Sequence, residues 1–307
     1  MKKEVGVVGL GKMGSNVAKN LVGQGYDVVG YDVDADAVDA TVEDADCEGA
    51  ESIEALAEAL EPPRVVWVSV PHGEPVDETV DSLSDALDDG DTVIDAGNSD
   101  FRETRERAGR LADGGIHLLD AGCSGGPSGA LNGLSIMVGG DSDAYERVEP
   151  LFDDLSVEGG YEHFGPSGAG HYVKMVHNGV EYAMMQAIGE GFEILAEGEY
   201  DDIELEDVAR VWSNGSVVES RLIRLTRRAF SRNPRLEGVK GHVPDSGEGR
   251  WTVETAIAND VPATGIAHSL FARYRSRVGD EGTFADKVLA VLRHEFGGHD
   301  VEKDDGD

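Results

Sequence analysis

The run Gly9-Leu10-Gly11-Lys12-Met13-Gly14 constrains this chain more than any other stretch. An apolar strand pattern, Val5–Val8, leads into it, and a helical pattern, Asn16–Val22, leads out. Glycines at the first, third and sixth places of such a turn have separate jobs. Gly9 makes the tight turn, Gly11 leaves room for a diphosphate to approach the backbone, and Gly14 lets helix and strand pack closely. A diphosphate there would meet unpaired N–H groups and the positive end of the helix dipole. The chain therefore opens as a dinucleotide-binding unit, with Leu10 and Met13 beside the glycines.

The alternation continues. Asp27–Tyr31, Val65–Val70, Thr92–Asp95 and His117–Leu119 are short β-branched runs, and Ser52–Leu60, Pro75–Leu87 and Phe101–Leu111 between them have apolar residues at helical spacing. This is the pattern of a parallel sheet covered by helices on both faces. Ser135–Val138 and Tyr161–Phe164, separated by a helix over Asp143–Phe152, extend it. Beyond Pro166 the strand signals stop. Gly168 to about Ala196 reads as one helix of about 45 Å at 1.5 Å per residue, and breaks follow near Pro234 and between Pro244 and Gly249. The expected fold is α/β: a Rossmann-type doubly wound parallel sheet over residues 1–165, then an all-α domain over 166–307 for substrate binding and oligomerisation. The charged end, Val301–Asp307, is expected to be disordered.

Charge narrows the partners. Sixty-one acidic against 26 basic residues give a net charge of −35, which repels nucleic acid and anionic membranes. Self-repulsion of that size is better tolerated where concentrated salt screens it, so a salt-rich, halophilic cytoplasm is the expected setting. No apolar run reaches the roughly 18 residues of a membrane span, and the N-terminus lacks a secretory pattern. Cys47 and Cys123 are too few and too scattered for a disulfide framework, and no His/Cys/Asp/Glu cluster has metal-ligand spacing. No metal is expected.

At the end of the second strand stands Tyr31-Asp32-Val33-Asp34, with no arginine between Tyr26 and Ala50. An acidic residue there hydrogen-bonds the adenosine ribose hydroxyls, and a 2′-phosphate would face carboxylates instead of a guanidinium. The expected cofactor is NAD, with NADP as the alternative. Val70 and Asn98 complete the expected cofactor contacts.

Lys174, His177, Asn178 and Glu181 stand at i, i+3, i+4 and i+7, within a roughly 100° arc of one helix face. Taken alone, this polar stripe on an otherwise apolar helix fits a solvated face as well as a functional cleft. The run Gly170-His171-Tyr172-Val173-Lys174-Met175-Val176-His177-Asn178-Gly179-Val180-Glu181-Tyr182 closely resembles the active-site helix of 6-phosphogluconate dehydrogenases. Asp95–Ser99, Ser124–Ala130, Gly247–Thr252, Leu270–Arg273 and Arg293–His299 resemble that family's other signatures.

The resemblance implies oxidation and decarboxylation of 6-phosphogluconate to ribulose 5-phosphate. It makes Lys174 the general base and Glu181 the general acid. Asn98, His177 and Asn178 would hold the sugar-acid hydroxyls, and Ser124, Gly125 and Gly126 the carboxylate. Tyr182, Arg273 and Arg293 would meet the phosphate. Arg293 and His299 would come from a neighbouring subunit's tail, so a homo-oligomer, dimer or tetramer, is expected. The chain departs from longer family members in having Ser246 and Glu248 where they carry Lys and Thr, which puts phosphate binding by that loop in doubt. It also has a single helical domain, as in the short-chain branch. The rival is a β-hydroxyacid dehydrogenase of the 3-hydroxyisobutyrate type, which would oxidise without Glu181 or the phosphate arginines.

Overall fold

The computed structural model describes residues 2–279 and 282–303. Two compact units divide the chain, Met1–Met175 and Val176–Asp307. The first runs β1 (Glu4–Val8), α1 (Gly14–Gly23), β2 (Asp27–Tyr31), α2 (Ala35–Ala45), β3 (Glu48–Gly49), α3 (Ile53–Ala59), β4 (Val65–Val68), α4 (Glu74–Ala86), β5 (Thr92–Asp95), α5 (Phe101–Ala112), β6 (His117–Ser124), α6 (Gly126–Asn132), β7 (Leu134–Gly139), α7 (Ser142–Leu155) and β8 (Ser156–His163). The strands form one sheet in the order β3-β2-β1-β4-β5-β6-β7-β8. β6 and β7 pair antiparallel; the other neighbours are parallel. The order reverses direction beside β1, so the loop after β1 lies at the switch point where such sheets bind ligands.

Strand alternation sends side chains to both faces, and both faces are packed. Val5, Val7 and Trp67 enter one core with Phe152, while Val8, Val66 and Val68 enter the other with Leu56 and Leu83. Each fully buried aliphatic side chain contributes roughly 1.5–3 kcal/mol of transfer free energy. That double burial explains strands that read as continuous apolar runs.

Several boundaries differ from the sequence expectation. β4 stops at Val68, although the Ser69 N–H still donates to Val8 O at 2.8 Å. β6 runs five residues past Leu119, since the small residues Ala121–Ser124 pair antiparallel with β7. β8 starts at Ser156 and meets β7 across an irregularity between Leu134 and Ile136. Helix α2, capped by Asp34 accepting from the Asp36 N–H, was not anticipated, nor was β3.

α8 (Ala169–Ala196) is one continuous helix that carries residues of both units. The second unit continues with α9 (Leu205–Trp212), α10 (Arg221–Arg232), α11 (Glu248–Ala258), α12 (Thr264–Ser276) and α13 (Phe284–Gly297), and no strand of three or more residues occurs among its described residues. Its core gathers Phe192, Phe230, Leu289 and Leu292, with Phe192 and Phe230 ring centroids 4.9 Å apart. The arginine-rich α10 is structural: Arg228 and Arg232 both pair with Glu295 of α13, Arg227 with Glu206 and Arg224 with Glu219. The expected disorder of Val301–Asp307 falls partly outside the described residues; within them, Lys303 forms a β-bridge with Val239.

Candidate active site

In the first unit the cofactor loop has the backbone that its glycines permit. Gly9 lies at φ 89°, where a Cβ would come within 2.6 Å of Ser69 O, and a Cβ on Gly14 would run into the Gly9 carbonyl. No protein atom lies within 4 Å of a Cβ placed on Gly11. The fold therefore demands Gly9 and Gly14, while Gly11 leaves open space for a ligand. The N-terminus of α1 has no side-chain cap and no acidic residue in its first turn. An anion is the charge that end favours.

Asp32 is more involved than a strand-end acid. Its carboxylate accepts from Leu10 N at 2.6 Å and from Asp34 N at 2.9 Å, tying β2 to the loop. Leu10 and Gly14 are buried, Met13 and Val70 half-buried, and Val70 lies just beyond the end of β4.

The C-terminal end of β5 carries Asp95, whose buried carboxylate accepts from Gly97 N at 3.0 Å and Ser99 Oγ at 2.9 Å. The fully buried Arg107 guanidinium stands 3.9 Å away. This shapes the turn that presents exposed Asn98. Ser124 closes β6, Gly125 takes φ 137°, and α6 begins at Gly126. The Ser124–Ala130 run is therefore not a plain loop: Pro127 sits in the first turn of a short helix, where proline is tolerated.

Lys174 belongs to this unit and is 9% exposed. Its helix is anchored by Asp120, whose two carboxylate oxygens accept from Gly168 N at 2.7 Å and His171 N at 2.8 Å. The Cys123 thiol lies near Lys174: burial pushes it up to about 12, and the lysine charge pulls the other way. Cys47 is likewise raised by burial, and both cysteines are free thiols.

The second unit gathers a polar cluster of its own. Asn178, 9% exposed, donates from Nδ2 to Glu248 Oε1 at 3.1 Å, and its Oδ1 lies 2.9 Å from His177 Nδ1. Tyr182 is buried with its hydroxyl 3.3 Å from Asp245 Oδ1, and the Arg273 guanidinium lies 3.2 Å from its ring centroid. Burial raises the Tyr182 hydroxyl, opposed by the Arg273 charge. Burial also pushes Arg273 down to about 10 and lowers Arg293, while the Tyr182 and Glu181 charges favour both cations. A guanidinium stays charged at any ordinary pH, so both arginines remain cations despite their burial.

Arg293 is 6% exposed on α13 and interacts with Tyr182, Glu248 and Asp245 of its own chain. α13 packs into the same unit's core and carries Arg293 with it. His299 is exposed just beyond α13, its carbonyl accepting from His294 Nδ1 at 2.8 Å. No group that could hold a metal occurs among the described residues, and no helix is long and apolar enough to cross a membrane among them.

Residues 4–163 match the model of the NAD-binding domain of 6-phosphogluconate dehydrogenase, and residues 170–305 match that of the family's C-terminal domain. The chain belongs to the 6-phosphogluconate dehydrogenase family. It is 49% identical to a Bacillus subtilis protein named "Putative 6-phosphogluconate dehydrogenase YqeC", over 98% of this chain and 99% of that one. It is 45% identical to the NAD(+)-dependent, decarboxylating 6-phosphogluconate dehydrogenase of Haloferax volcanii, over 98% of this chain and 99% of the relative. The Plasmodium falciparum 6-phosphogluconate dehydrogenase, solved apo and with NADP+ and 6-phosphogluconate, superposes with a TM-score of 0.83 at 27% identity, covering 95% of this chain and 70% of that one.

As a 6-phosphogluconate dehydrogenase family member, the chain carries the family's NAD-binding domain. Two residues of the site region escaped the sequence reading. Gly122, where a Cβ would strike Lys174, looks in sequence like any strand glycine. Glu248 was noted only as a departure from the longer relatives, yet it is 3% exposed and bonded to Asn178. Its burial and its Asn178 partner are visible only in the structure.

Proposed function

We propose that this chain oxidises and decarboxylates 6-phosphogluconate to ribulose 5-phosphate and CO2, with NAD preferred to NADP. One observation carries the reading. Lys174 and Glu181 stand two turns apart on a single unbroken helix, the lysine buried against β6 and the carboxylate interacting with Arg273 and Arg293.

A bound nicotinamide ring supplies the hydride acceptor. Lys174 Nζ takes the proton of the C3 hydroxyl as that carbon becomes a carbonyl, which requires the amine to be neutral. The 3-keto acid then loses its carboxylate. The electron pair of the breaking C1–C2 bond moves towards the C3 oxygen, and the Lys174 ammonium returns its proton there, giving an enediol. Glu181 delivers a proton to the enediol carbon that had carried the carboxylate, while the neutral Lys174 takes the proton back from the hydroxyl at the former C3, leaving the ketone of ribulose 5-phosphate. Asn98, His177 and Asn178 hold the hydroxyls, Ser124, Gly125 and Gly126 the carboxylate, and Tyr182, Arg273 and Arg293 the phosphate.

The NAD preference rests on the carboxylates of Asp32 and Asp34 at the end of β2, which would repel a 2′-phosphate. We also propose a homo-oligomer in which Arg293 serves its own chain, and the tail carrying exposed His299 is the segment left to complete a neighbour's site. The test is an assay of the purified protein in concentrated salt with 6-phosphogluconate and each cofactor in turn, following absorbance and evolved gas together. NADH and CO2 in equal amounts support the reading. Reduced cofactor without gas would favour a simple β-hydroxyacid dehydrogenase.

A further inference from the structure

A hydrogen-bonded chain of three residues in the second unit has a fixed direction. Glu248, at the start of α11, is buried at 3% exposure, and its Oε1 is the acceptor of this chain. It therefore faces the NH2 end of the Asn178 amide, 3.1 Å away. With the amide held that way round, the carbonyl Oδ1 is turned to His177 Nδ1 at 2.9 Å. A carbonyl oxygen cannot donate, so Nδ1 must carry the hydrogen, and in the neutral ring Nε2 is the acceptor nitrogen.

Close packing keeps the chain in register. A Cβ on Gly179 would come within 2.6 Å of Thr252 Cγ2, so α8 and α11 touch at bare backbone one residue after Asn178. Thr252 Oγ1 in turn donates to the Glu248 carbonyl at 2.7 Å.

We propose that Glu248 is a positioning residue that sets the tautomer of His177 through the Asn178 amide, making Nε2 the ring's acceptor for a substrate hydroxyl. The carboxylate acts in the free protein, and only its use towards substrate rests on the phosphogluconate reading. A glutamate where longer relatives carry a different residue is thus assigned to the hydroxyl-binding side of the site.

The test is two-bond 1H–15N correlation of ¹⁵N-histidine-labelled protein at a pH where His177 is neutral, with His177 assigned by the signals lost in His177→Gln. The wild type is expected to show His177 with Nδ1 protonated. Glu248→Met, which keeps the length and loses the acceptor, is expected to shift His177 towards the Nε2–H form that a free imidazole favours, and to raise the KM for 6-phosphogluconate about tenfold. Circular dichroism and retained NADH binding check its folding. The double variant Glu248→Gln/Asn178→Asp reverses donor and acceptor between the two side chains while leaving Nδ1 an acceptor to face, and should restore the wild-type pattern even if Glu248→Met fails to fold. A wild-type His177 protonated on Nε2, a pattern unchanged in folded Glu248→Met, or a double variant in the Nε2–H form would overturn the proposal. The spectra need no substrate. A wild type inert towards 6-phosphogluconate would sink the functional reading and leave the tautomer assignment standing.

Discussion

Gly122 of β6 and Lys174 of α8 touch so closely that a Cβ on the glycine would strike the lysine Cβ and lie 3.0 Å from its Cγ and from the Gly170 carbonyl oxygen. The proposed base owes its position to a missing side chain. Gly122→Ala should push α8 away from the sheet, destabilise the protein by roughly 1–3 kcal/mol through overpacking, and lower kcat about a hundredfold, since a displacement near 1 Å is that costly. NADH affinity, measured by fluorescence, should change less than about threefold. Wild-type kcat in the Gly122→Ala variant would show that Lys174 does not depend on this contact.

The cofactor loop offers a matched pair of substitutions. Gly11→Ala adds a methyl where no protein atom lies within 4 Å, so thermal unfolding should stay within about 0.5 kcal/mol of wild type while the NADH dissociation constant rises at least about tenfold. Gly14→Ala would meet the Gly9 carbonyl, and both stability and binding should suffer. Equal loss of stability in the two variants would contradict the division of roles.

Asp245 ties the turn before α11. Burial pushes its carboxyl up, but hydrogen bonds from Arg250, the Gly247 N–H and the Tyr182 hydroxyl outweigh that and hold it below the usual carboxylate range. A depressed folded value means stability that is complete above the unfolded value and lost as pH falls below it. Asp245→Asn should therefore cost about 1–2 kcal/mol at about pH 7, and the gap from wild type should persist to about pH 4 and close below it. Denaturant melts across that range decide; a gap that widened in acid would refute the sign.

Much of the fold was legible in the sequence because the strands of a doubly wound sheet are buried on both faces: Asp27–Tyr31 and Thr92–Asp95 were bounded to the residue. Ala121–Ser124 was missed because small residues carry no β-branched signal, and Gly126–Asn132 because glycine and proline spell a loop until packing against α1, with Asn20 Nδ2 bonding Ala130 O at 3.0 Å, favours a helix turn. The polar stripe of α8 was legible because its residues share a helical period. Gly122 and Glu248 were not, since one acts by what it lacks and the other through a partner 70 residues away.

Arg293 is buried in its own chain beside Tyr182, so subunits carrying Arg293→Met and subunits carrying Lys174→Met should fail to complement when co-expressed and co-purified. Each mixed oligomer would still lack either the proposed base or the proposed phosphate arginine in every site. Recovery of activity well above that of either parent would place Arg293 in the neighbour's site.

The claim on which all else depends is that Lys174 is the base. Substituting it by Met removes the amine and keeps much of the side chain's length, and CO2 release from 6-phosphogluconate is the quantity to follow. We expect gas evolution to fall about a thousandfold, within the range that general bases contribute, while NADH binding remains near wild type. Turnover at the wild-type rate in that variant would contradict the assignment.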